Sequence, residues 1–121
     1  LIVDENSFMD VSTPYDIAIL ALACLNNPNT LKYTGKELIY LGNRKFMCST
    51  RNTLIKKIGG YEGCDGLKTG FTKRAGFNLV ASAKRNNKRI IAVILGCEDK
   101  EIRNNTARKL LDLGFEITEN Q

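Results

Sequence analysis

The most constraining feature of this 121-residue chain is the run Lys68, Thr69 and Gly70, inside a segment whose pattern predicts a β-strand. A second strand-like run, residues 77–83, follows Gly76. An ammonium, a hydroxyl and a residue without a side chain therefore stand side by side on one strand. Such a strand suits a peptide that ends in a carboxylate, because the peptide backbone can lie close against the glycine. We expect an exposed strand edge with a groove beside it.

The rest of the pattern predicts a sheet. The predicted strands are residues 37–41, residues 45–48, the segment around Lys68, residues 78–84, and the stretch from Arg89 to Gly96. Gly42 and Asn43 are typical of a hairpin turn, and Asn86 and Asn87 predict a second tight turn. Short links favour antiparallel pairing, so the expected fold class is α+β, an antiparallel sheet with packed helices.

The first helix is predicted from its capping residues. Thr13 suits the N-cap, Pro14 suits the first turn, and Asp16 stands where a capping-box acid would reach back. Residues 26–28, Asn-Asn-Pro, are expected to end this helix, and residues 30–34 are predicted as a short turn.

A second helix is predicted after the last strand, with Asp99 as its N-cap. Gly114 is the expected C′ residue, and Phe115 is expected to fold back as its hydrophobic contact. A further short helix is possible over residues 50–57. The residues expected to share one face of the C-terminal helix are Ile102, Ala107, Leu110 and Leu111.

Composition is that of a globular protein, with 43% hydrophobic and 26% charged residues. No apolar run approaches the roughly 20 residues that a membrane-spanning helix needs. Eighteen Lys and Arg against 13 Asp and Glu give a net charge of +5. That charge fits a solvated basic surface, or a protein near an anionic cell wall or membrane. Nucleic acid is the least favoured partner, because the cations are spread along the chain without a recognised motif.

The cysteines do not predict a metal site. The chain has no histidine, and Cys24, Cys48, Cys64 and Cys97 show no C-x-x-C spacing. Zinc would therefore need four thiolates from distant positions. Cys24 and Cys97 are instead predicted to be buried as small hydrophobic residues, and one disulfide stays open as an alternative.

Four stretches, taken in order, resemble one protein family. Residues 65–72, D-G-L-K-T-G-F-T, resemble a motif that includes the K-T-G of penicillin-binding proteins. The other stretches are S-T-P-Y-D-I-A at residues 12–18, R-N-T-L-I at residues 51–55 and A-G-F-N-L-V-A-S-A at residues 75–83. K-T-G alone is weak, but the ordered set resembles the C-terminal half of the catalytic domain of serine D-alanyl-D-alanine carboxypeptidases. These are low-molecular-mass penicillin-binding proteins.

The resemblance implies a partial β-lactamase/transpeptidase-like fold, with residues 1–121 as a single partial domain. It also implies roles for four residues on one strand. Lys68 would supply positive potential to the substrate carboxylate and to the hydrogen-bond network of the nucleophile, and Thr69 would donate to that carboxylate. Gly70 would let the substrate backbone lie close, and the Phe71 N–H would be one of two oxyanion-hole donors.

Two arginines are further substrate-binding candidates by the same resemblance. Arg51 and Arg103 align with family arginines near the end of the substrate, and a guanidinium can bind a carboxylate through two parallel hydrogen bonds. For each, a solvated surface cation is the alternative. The resemblance implies no metal or other cofactor.

Two other motifs of the family, S-x-x-K and S-x-N, are absent from these 121 residues. In the family both precede the helix that corresponds to the one beginning at Pro14. We therefore interpret the chain as part of a longer polypeptide and expect it to be inactive alone. The strand between Arg89 and Gly96 would then keep an unpaired apolar edge. We expect self-association there, as a dimer or a larger oligomer.

The leading functional hypothesis is a D-alanyl-D-alanine carboxypeptidase that trims peptidoglycan stem peptides through an acyl-serine intermediate. The resemblance implies an intact protein that is secreted, extracytoplasmic, associated with the cell wall or membrane, and sensitive to β-lactam antibiotics. The main alternative is a non-catalytic peptidoglycan-binding protein that has lost the nucleophile. A basic nucleic-acid-binding domain is a weaker alternative. The stretches at residues 51–55 and 75–83 disfavour a β-lactamase.

Overall fold

A computed structural model describes residues 10–43 and 45–121. Its elements are α1 (Pro14–Leu25), α2 (Pro28–Thr34), β1 (Leu38–Leu41), β2 (Phe46–Ser49), a 3-10 turn (Thr53–Ile55), β3 (Cys64–Thr72), β4 (Gly76–Arg85), β5 (Lys88–Cys97) and α3 (Lys100–Glu119). Strands β3, β4 and β5 form an antiparallel sheet in that order, and β1 pairs with β2 in a separate hairpin. The predicted α+β class is confirmed.

Each of the two N-terminal helices begins at an N-cap residue whose side chain accepts a backbone N–H. The Thr13 hydroxyl oxygen accepts the backbone N–H of Asp16 at 3.1 Å, as predicted for α1. The prediction of a simple turn at residues 30–34 is wrong, because α2 is a helix. Its N-cap is Asn27, whose Oδ1 accepts the Asn29 N–H at 3.0 Å, and Pro28 stands in its first turn.

Helices cover the two faces of the three-stranded sheet. Helix α3 packs on β4 and β5, while α1 contacts β4 and β5 and α2 contacts β3. Alternate residues of a strand point to opposite faces, so Leu79 faces α3 whereas Val80 lines a cavity with α1. The core on the α3 side consists of Leu54, Leu79, Ala81, Ala83, Ala92, Ile94, Ala107, Leu111 and Phe115. Its many alanines let α3 lie close to the sheet.

Helix α3 is longer than predicted. It passes through Gly114 and ends at Glu119, so the predicted C′ role of Gly114 is wrong. A Cβ at Gly114 would lie 2.5 Å from Cγ2 of Ile90, which shows that this glycine permits close contact with β5. The predicted face is also partly wrong, since Ile102 and Leu110 are 56% and 39% exposed. The residues of α3 that are buried are Arg103, Ala107, Leu111 and Phe115.

Several local predictions have clear outcomes. The residues of both predicted turns have positive φ: Gly42 and Asn43 in one, Asn86 and Asn87 in the other. Only residues 53–55 of the predicted helix at 50–57 are helical, as a 3-10 turn. None of the helices in the described ranges is long and apolar enough to cross a membrane.

The four cysteines are free thiols. Cys24 is exposed, so its predicted burial is wrong, and Cys97 is half-buried. Cys24 lies on a face of α1 that lines an open apolar cavity with Ile17, Leu20 and Val80. Burial raises the pKa of the half-buried Cys64 thiol, which favours its neutral form.

Candidate active site

Strand β3 carries the candidate site along a free edge. It lies at one end of its sheet, and its strand partner within the described ranges is β4. Lys68 is paired with Val80, Thr69 with Leu79, and Gly70 with Asn78. An edge strand offers backbone N–H and C=O groups to an extended peptide, which can then add to the sheet as a further strand.

The side chains of β3 suit such a peptide. Lys68 and Gly70 are exposed and Thr69 is half-buried. The Lys68 ammonium donates to the Thr69 carbonyl oxygen. A Cβ at Gly70 would meet no atom within 4 Å, so the space above this residue is open. Phe71 is 55% exposed, and its ring contacts that of Phe77 with 4.2 Å between the centroids.

A buried asparagine fixes the Arg51 loop against β3. Asn52 is 4% exposed, and its amide nitrogen donates to the Gly66 carbonyl oxygen at 3.0 Å. Its side-chain oxygen accepts the Leu54 N–H at 3.1 Å and so caps the 3-10 turn. Both polar groups of the Asn52 side chain are therefore hydrogen-bonded. They hold the neighbouring Arg51 beside Gly66 of β3, which lies two residues before Lys68.

Arg103 reaches the same region from the first turns of α3. It is 3% exposed, and its Nε and Nη2 donate to Oδ1 of Asn104 at 3.1 and 2.8 Å. Its Nη1 donates to the Asn78 carbonyl oxygen at 3.4 Å. Burial lowers the pKa of the Arg103 guanidinium below its ordinary value, although a guanidinium stays charged at neutral pH.

Asn104 joins α3 to the Arg51 loop. Its side-chain oxygen accepts from Arg103, and its amide nitrogen donates to the hydroxyl of Thr53 at 2.9 Å. Asn52 and Asn104 are thus positioning residues that the sequence analysis missed. The preference of asparagine for N-caps, with a polar Thr53 following, was the available signal for Asn52. Nothing local signals Asn104, because its partner Thr53 is 51 positions away.

Several further contacts hold the segment that leads into β3. The Tyr61 hydroxyl donates to the Asp112 carboxylate at 2.6 Å, and the Arg85 guanidinium lies 4.5 Å from the centre of the Tyr61 ring. Burial, followed by the bond to Asp112, raises the pKa of the Tyr61 phenol. Arg108 donates to the carbonyl oxygens of Gly59 and Gly60 at 2.7 and 2.9 Å. The glycine-rich approach to β3 is therefore tied to α3 at several points.

Asp65 makes a structural contact at the start of β3. Its two carboxylate oxygens accept from the Arg89 guanidinium at 2.8 and 2.9 Å, across the intervening β4. The same guanidinium donates to the Ser82 hydroxyl. This bidentate pair fixes β3 relative to β5 just ahead of Lys68.

All six predicted site residues line one groove, which we call the β3 groove. Its volume is about 800 Å³. Its lining residues are Thr50, Arg51, Thr53, Lys56, Lys68, Thr69, Gly70, Phe71, Thr72, Phe77, Lys100 and Arg103. The groove therefore brings together cations, a hydroxyl and an open strand edge, which together can bind the carboxylate end of a peptide.

Comparisons with known proteins identify relatives of this chain. Residues 3–99 match the model of a family described as D-alanyl-D-alanine carboxypeptidase. The chain is 41% identical over 107 residues to D-alanyl-D-alanine carboxypeptidase DacF of Bacillus subtilis, an alignment that covers 86% of the chain and 27% of the relative. It is 50% identical over 117 residues to DacA of Haemophilus influenzae, covering 93% of the chain and 27% of the relative.

Solved structures show the same fold. Penicillin-binding protein D2 from Listeria monocytogenes, in an ampicillin-bound form, superposes with a TM-score of 0.83 at 32% identity. That match covers 93% of this chain and 45% of the other. Penicillin-binding protein 6B from Escherichia coli matches 81% of the chain and 30% of its own length, with a TM-score of 0.72 and 35% identity. The chain spans about a quarter of the length of the curated relatives that it matches.

Proposed function

The chain belongs to the D-alanyl-D-alanine carboxypeptidase family, and on this premise we propose that β3 binds the D-alanyl-D-alanine end of a peptidoglycan stem peptide. The supporting observation is that Arg51, Lys68, Thr69 and Arg103 line one groove beside a free strand edge. A substrate that lies along β3 would add as an antiparallel or parallel neighbour through its backbone. Its terminal carboxylate would then lie close to the cations Arg51, Lys68 and Arg103.

The groove can anchor that carboxylate through hydrogen-bond donors of Thr69 and Arg103. The Thr69 hydroxyl can donate one hydrogen bond. Arg103 has five N–H groups, of which three bind Asn104 and Asn78, so two are left for a ligand. Lys68 and Arg51 add positive potential without ion pairs of their own within the described ranges. Hydrogen bonds between charged groups are roughly twice as strong as neutral ones, so this end of the groove dominates recognition.

We propose that these residues act in a larger catalytic domain, of which residues 1–121 form one part. There a serine hydroxyl outside these residues would attack the carbonyl between the two D-alanines. The Phe71 N–H would stabilise the oxyanion, D-alanine would leave with a proton, and water would hydrolyse the acyl-serine ester. The chain alone is then inactive. The same groove would accept the carboxylate of a β-lactam, and the intact protein would work outside the cytoplasm at the cell wall.

A second candidate is a peptidoglycan-binding protein that has lost the nucleophile. Both candidates require the β3 groove to bind the peptide. They differ in the intact protein, since acylation by a fluorescent penicillin requires a nucleophilic serine.

We further propose that a second copy of the chain pairs with β5. Within the described ranges β5 pairs with β4 alone, so its ten residues leave one edge of backbone groups free. The strand is rich in isoleucine, valine and leucine, and such edges are prone to pairing.

The binding proposal is tested with Thr69→Val, which removes the hydroxyl and keeps the shape of the side chain. The ligand is diacetyl-lysyl-D-alanyl-D-alanine, and its affinity is measured by titration calorimetry. We expect the variant to bind about tenfold more weakly, because one hydrogen bond to a charged group is worth roughly 1.5 kcal/mol or more. Thr106→Val, on α3 outside the groove, is the matched control. Equal affinity for wild type and Thr69→Val would contradict the proposal.

A further inference from the structure

Arg103 is the buried cation of the β3 groove. It is 3% exposed and still contributes to the lining of the groove. The other cations that line the groove are all exposed: Arg51, Lys56, Lys68 and Lys100. A buried guanidinium is held by the groups packed around it, so the direction of its N–H groups is set before a peptide binds.

The main contact of the Arg103 guanidinium is with the next residue of the helix. Its Nε and Nη2 donate to the same oxygen, Oδ1 of Asn104, at 3.1 and 2.8 Å. Successive residues of an α-helix point about 100° apart, and their side chains do not normally face each other. The contact is therefore not a by-product of helix geometry. It holds a long side chain in one conformation, against the loss of its rotamer freedom.

Asn104 is itself fixed in one orientation. A guanidinium has donors only, so the carbonyl oxygen of the Asn104 amide must face Arg103. Its nitrogen then donates to the Thr53 hydroxyl at 2.9 Å, in the 3-10 turn that follows Arg51. Reversing the amide would place N–H groups against the N–H groups of Arg103. The half-buried Asn104 therefore keeps its acceptor directed at Arg103.

This contact decides which donors of Arg103 are left for a ligand. Nε–H and one N–H of Nη2 point at Asn104, and one N–H of Nη1 points at the Asn78 carbonyl oxygen at 3.4 Å. One N–H stays available on each of the two terminal nitrogens. Such a pair can bind both oxygens of a carboxylate. A carboxamide offers one oxygen, and its NH2 group would oppose the second donor.

We propose that Asn104 is a positioning residue for the terminal carboxylate of the peptide, and that it acts by aiming the two available N–H groups of Arg103 into the β3 groove. The inference rests on the proposed function and adds a residue that is not among the described lining residues of the groove. Without Asn104, the guanidinium regains rotamer freedom. Ordering it again then opposes binding of the carboxylate.

The test follows two ligands, diacetyl-lysyl-D-alanyl-D-alanine and its C-terminal carboxamide, by ¹H–¹⁵N NMR titration of the chain. Asn104→Ala should weaken binding of the free acid about tenfold, as expected for the loss of one hydrogen bond to a charged group. It should change the affinity for the carboxamide by less than about twofold. Asn105→Ala, the same substitution at the next and exposed residue of α3, is the matched control and should bind both ligands like wild type.

The Arg103 Nε–H signal gives a readout that a purely structural role would not move. In the wild-type chain we expect it to be protected from exchange with water, because this group donates to Asn104 inside the protein. Asn104→Ala should remove that protection, whereas Asn105→Ala should keep it. An unchanged Arg103 signal in Asn104→Ala would contradict the inference.

A double substitution tests whether Asn104 acts through Arg103. Arg103→Met removes the donors and keeps an apolar side chain at the buried position. In that background Asn104→Ala should leave the affinity for the free acid unchanged within about twofold. A further tenfold loss would refute the inference, because Asn104 would then act by another route.

Thr53→Val is the second variant, and it decides the question if Asn104→Ala does not fold. It removes the acceptor of the Asn104 amide and should weaken binding of the free acid about threefold, as one neutral hydrogen bond allows. This loss should also vanish in the Arg103→Met background. A loss that persists there would count against the inference.

The outcomes separate this inference from the proposed function. If Asn104→Ala and Thr53→Val keep the full affinity for the free acid while Thr69→Val loses it, the role of Asn104 is refuted and the proposed function stands. If the wild-type chain binds neither peptide, the proposed function fails and the inference fails with it.

Discussion

At the scale of single residues, Gly114 shows how one missing side chain sets the distance between α3 and the sheet. Glycine inside a helix costs about 1 kcal/mol relative to alanine, so its presence calls for a reason. The reason is Ile90, whose Cγ2 would lie 2.5 Å from a Cβ at position 114. Close packing of the helix on β5 outweighs helix propensity here.

This contact predicts that the effect of Gly114→Ala on the free energy of unfolding changes sign when Ile90 is replaced by alanine. Gly114→Ala should destabilise the protein by about 1–2 kcal/mol, because overpacking costs more than the propensity gained. In an Ile90→Ala background the clash is removed, and the same substitution should stabilise by up to about 1 kcal/mol. Urea unfolding of the four proteins measures both effects. An equal effect of Gly114→Ala in the two backgrounds would contradict the assigned contact.

Residues of the site could be predicted where a motif names them. Lys68, Thr69, Gly70 and Phe71 are neighbours in sequence, so their proximity needed no knowledge of the fold. Asn104 could not be predicted, because its role depends on Thr53 and Arg103 meeting in space. Lys56 and Lys100 could not be assigned to the groove from the sequence either, because they are far apart along the chain and line it only in the folded molecule.

At the scale of elements, capping and turn residues predicted where α1 and α3 begin and where the hairpins turn. The end of α3 was predicted wrongly because glycine has two uses, at a C′ position and at a close helix–strand contact, and local sequence does not separate them. Helix α2 was missed because seven residues show little periodicity. Its contacts with β3, including the Thr34 hydroxyl bonded to the Asp65 carbonyl oxygen at 3.0 Å, stabilise it.

The free edge of β5 makes a testable prediction at this scale. Sedimentation equilibrium of the chain should show a dimer or a larger oligomer, because an unpaired apolar strand tends to pair with another copy. Leu95→Lys places a charge on the partly exposed β5 and should shift the chain to monomer. Leu113→Lys makes the same change on the exposed side of α3 and should not. A monodisperse wild-type monomer would refute pairing through β5.

At the scale of the whole molecule, the α+β class and the antiparallel order of β3, β4 and β5 could be inferred from short links alone. The assembly of the groove could not, because three separate parts of the chain supply it: the loop around Arg51, strand β3 and the start of α3. Hydrogen bonds from Asn52, Asn104 and Arg103 hold these parts in place. The groove therefore forms only when the molecule is packed, whereas the K-T-G strand could be predicted from the sequence.

The central claim is that the edge of β3 binds the carboxylate end of a D-alanyl-D-alanine peptide. The most direct measurement maps amide ¹H–¹⁵N chemical shifts of the chain during titration with diacetyl-lysyl-D-alanyl-D-alanine and, separately, with its C-terminal carboxamide. The account predicts that the free acid shifts residues 68–71 together with Arg51 and Arg103, and that the carboxamide shifts them far less. Shifts confined to another surface, or equal shifts with both peptides, would contradict it.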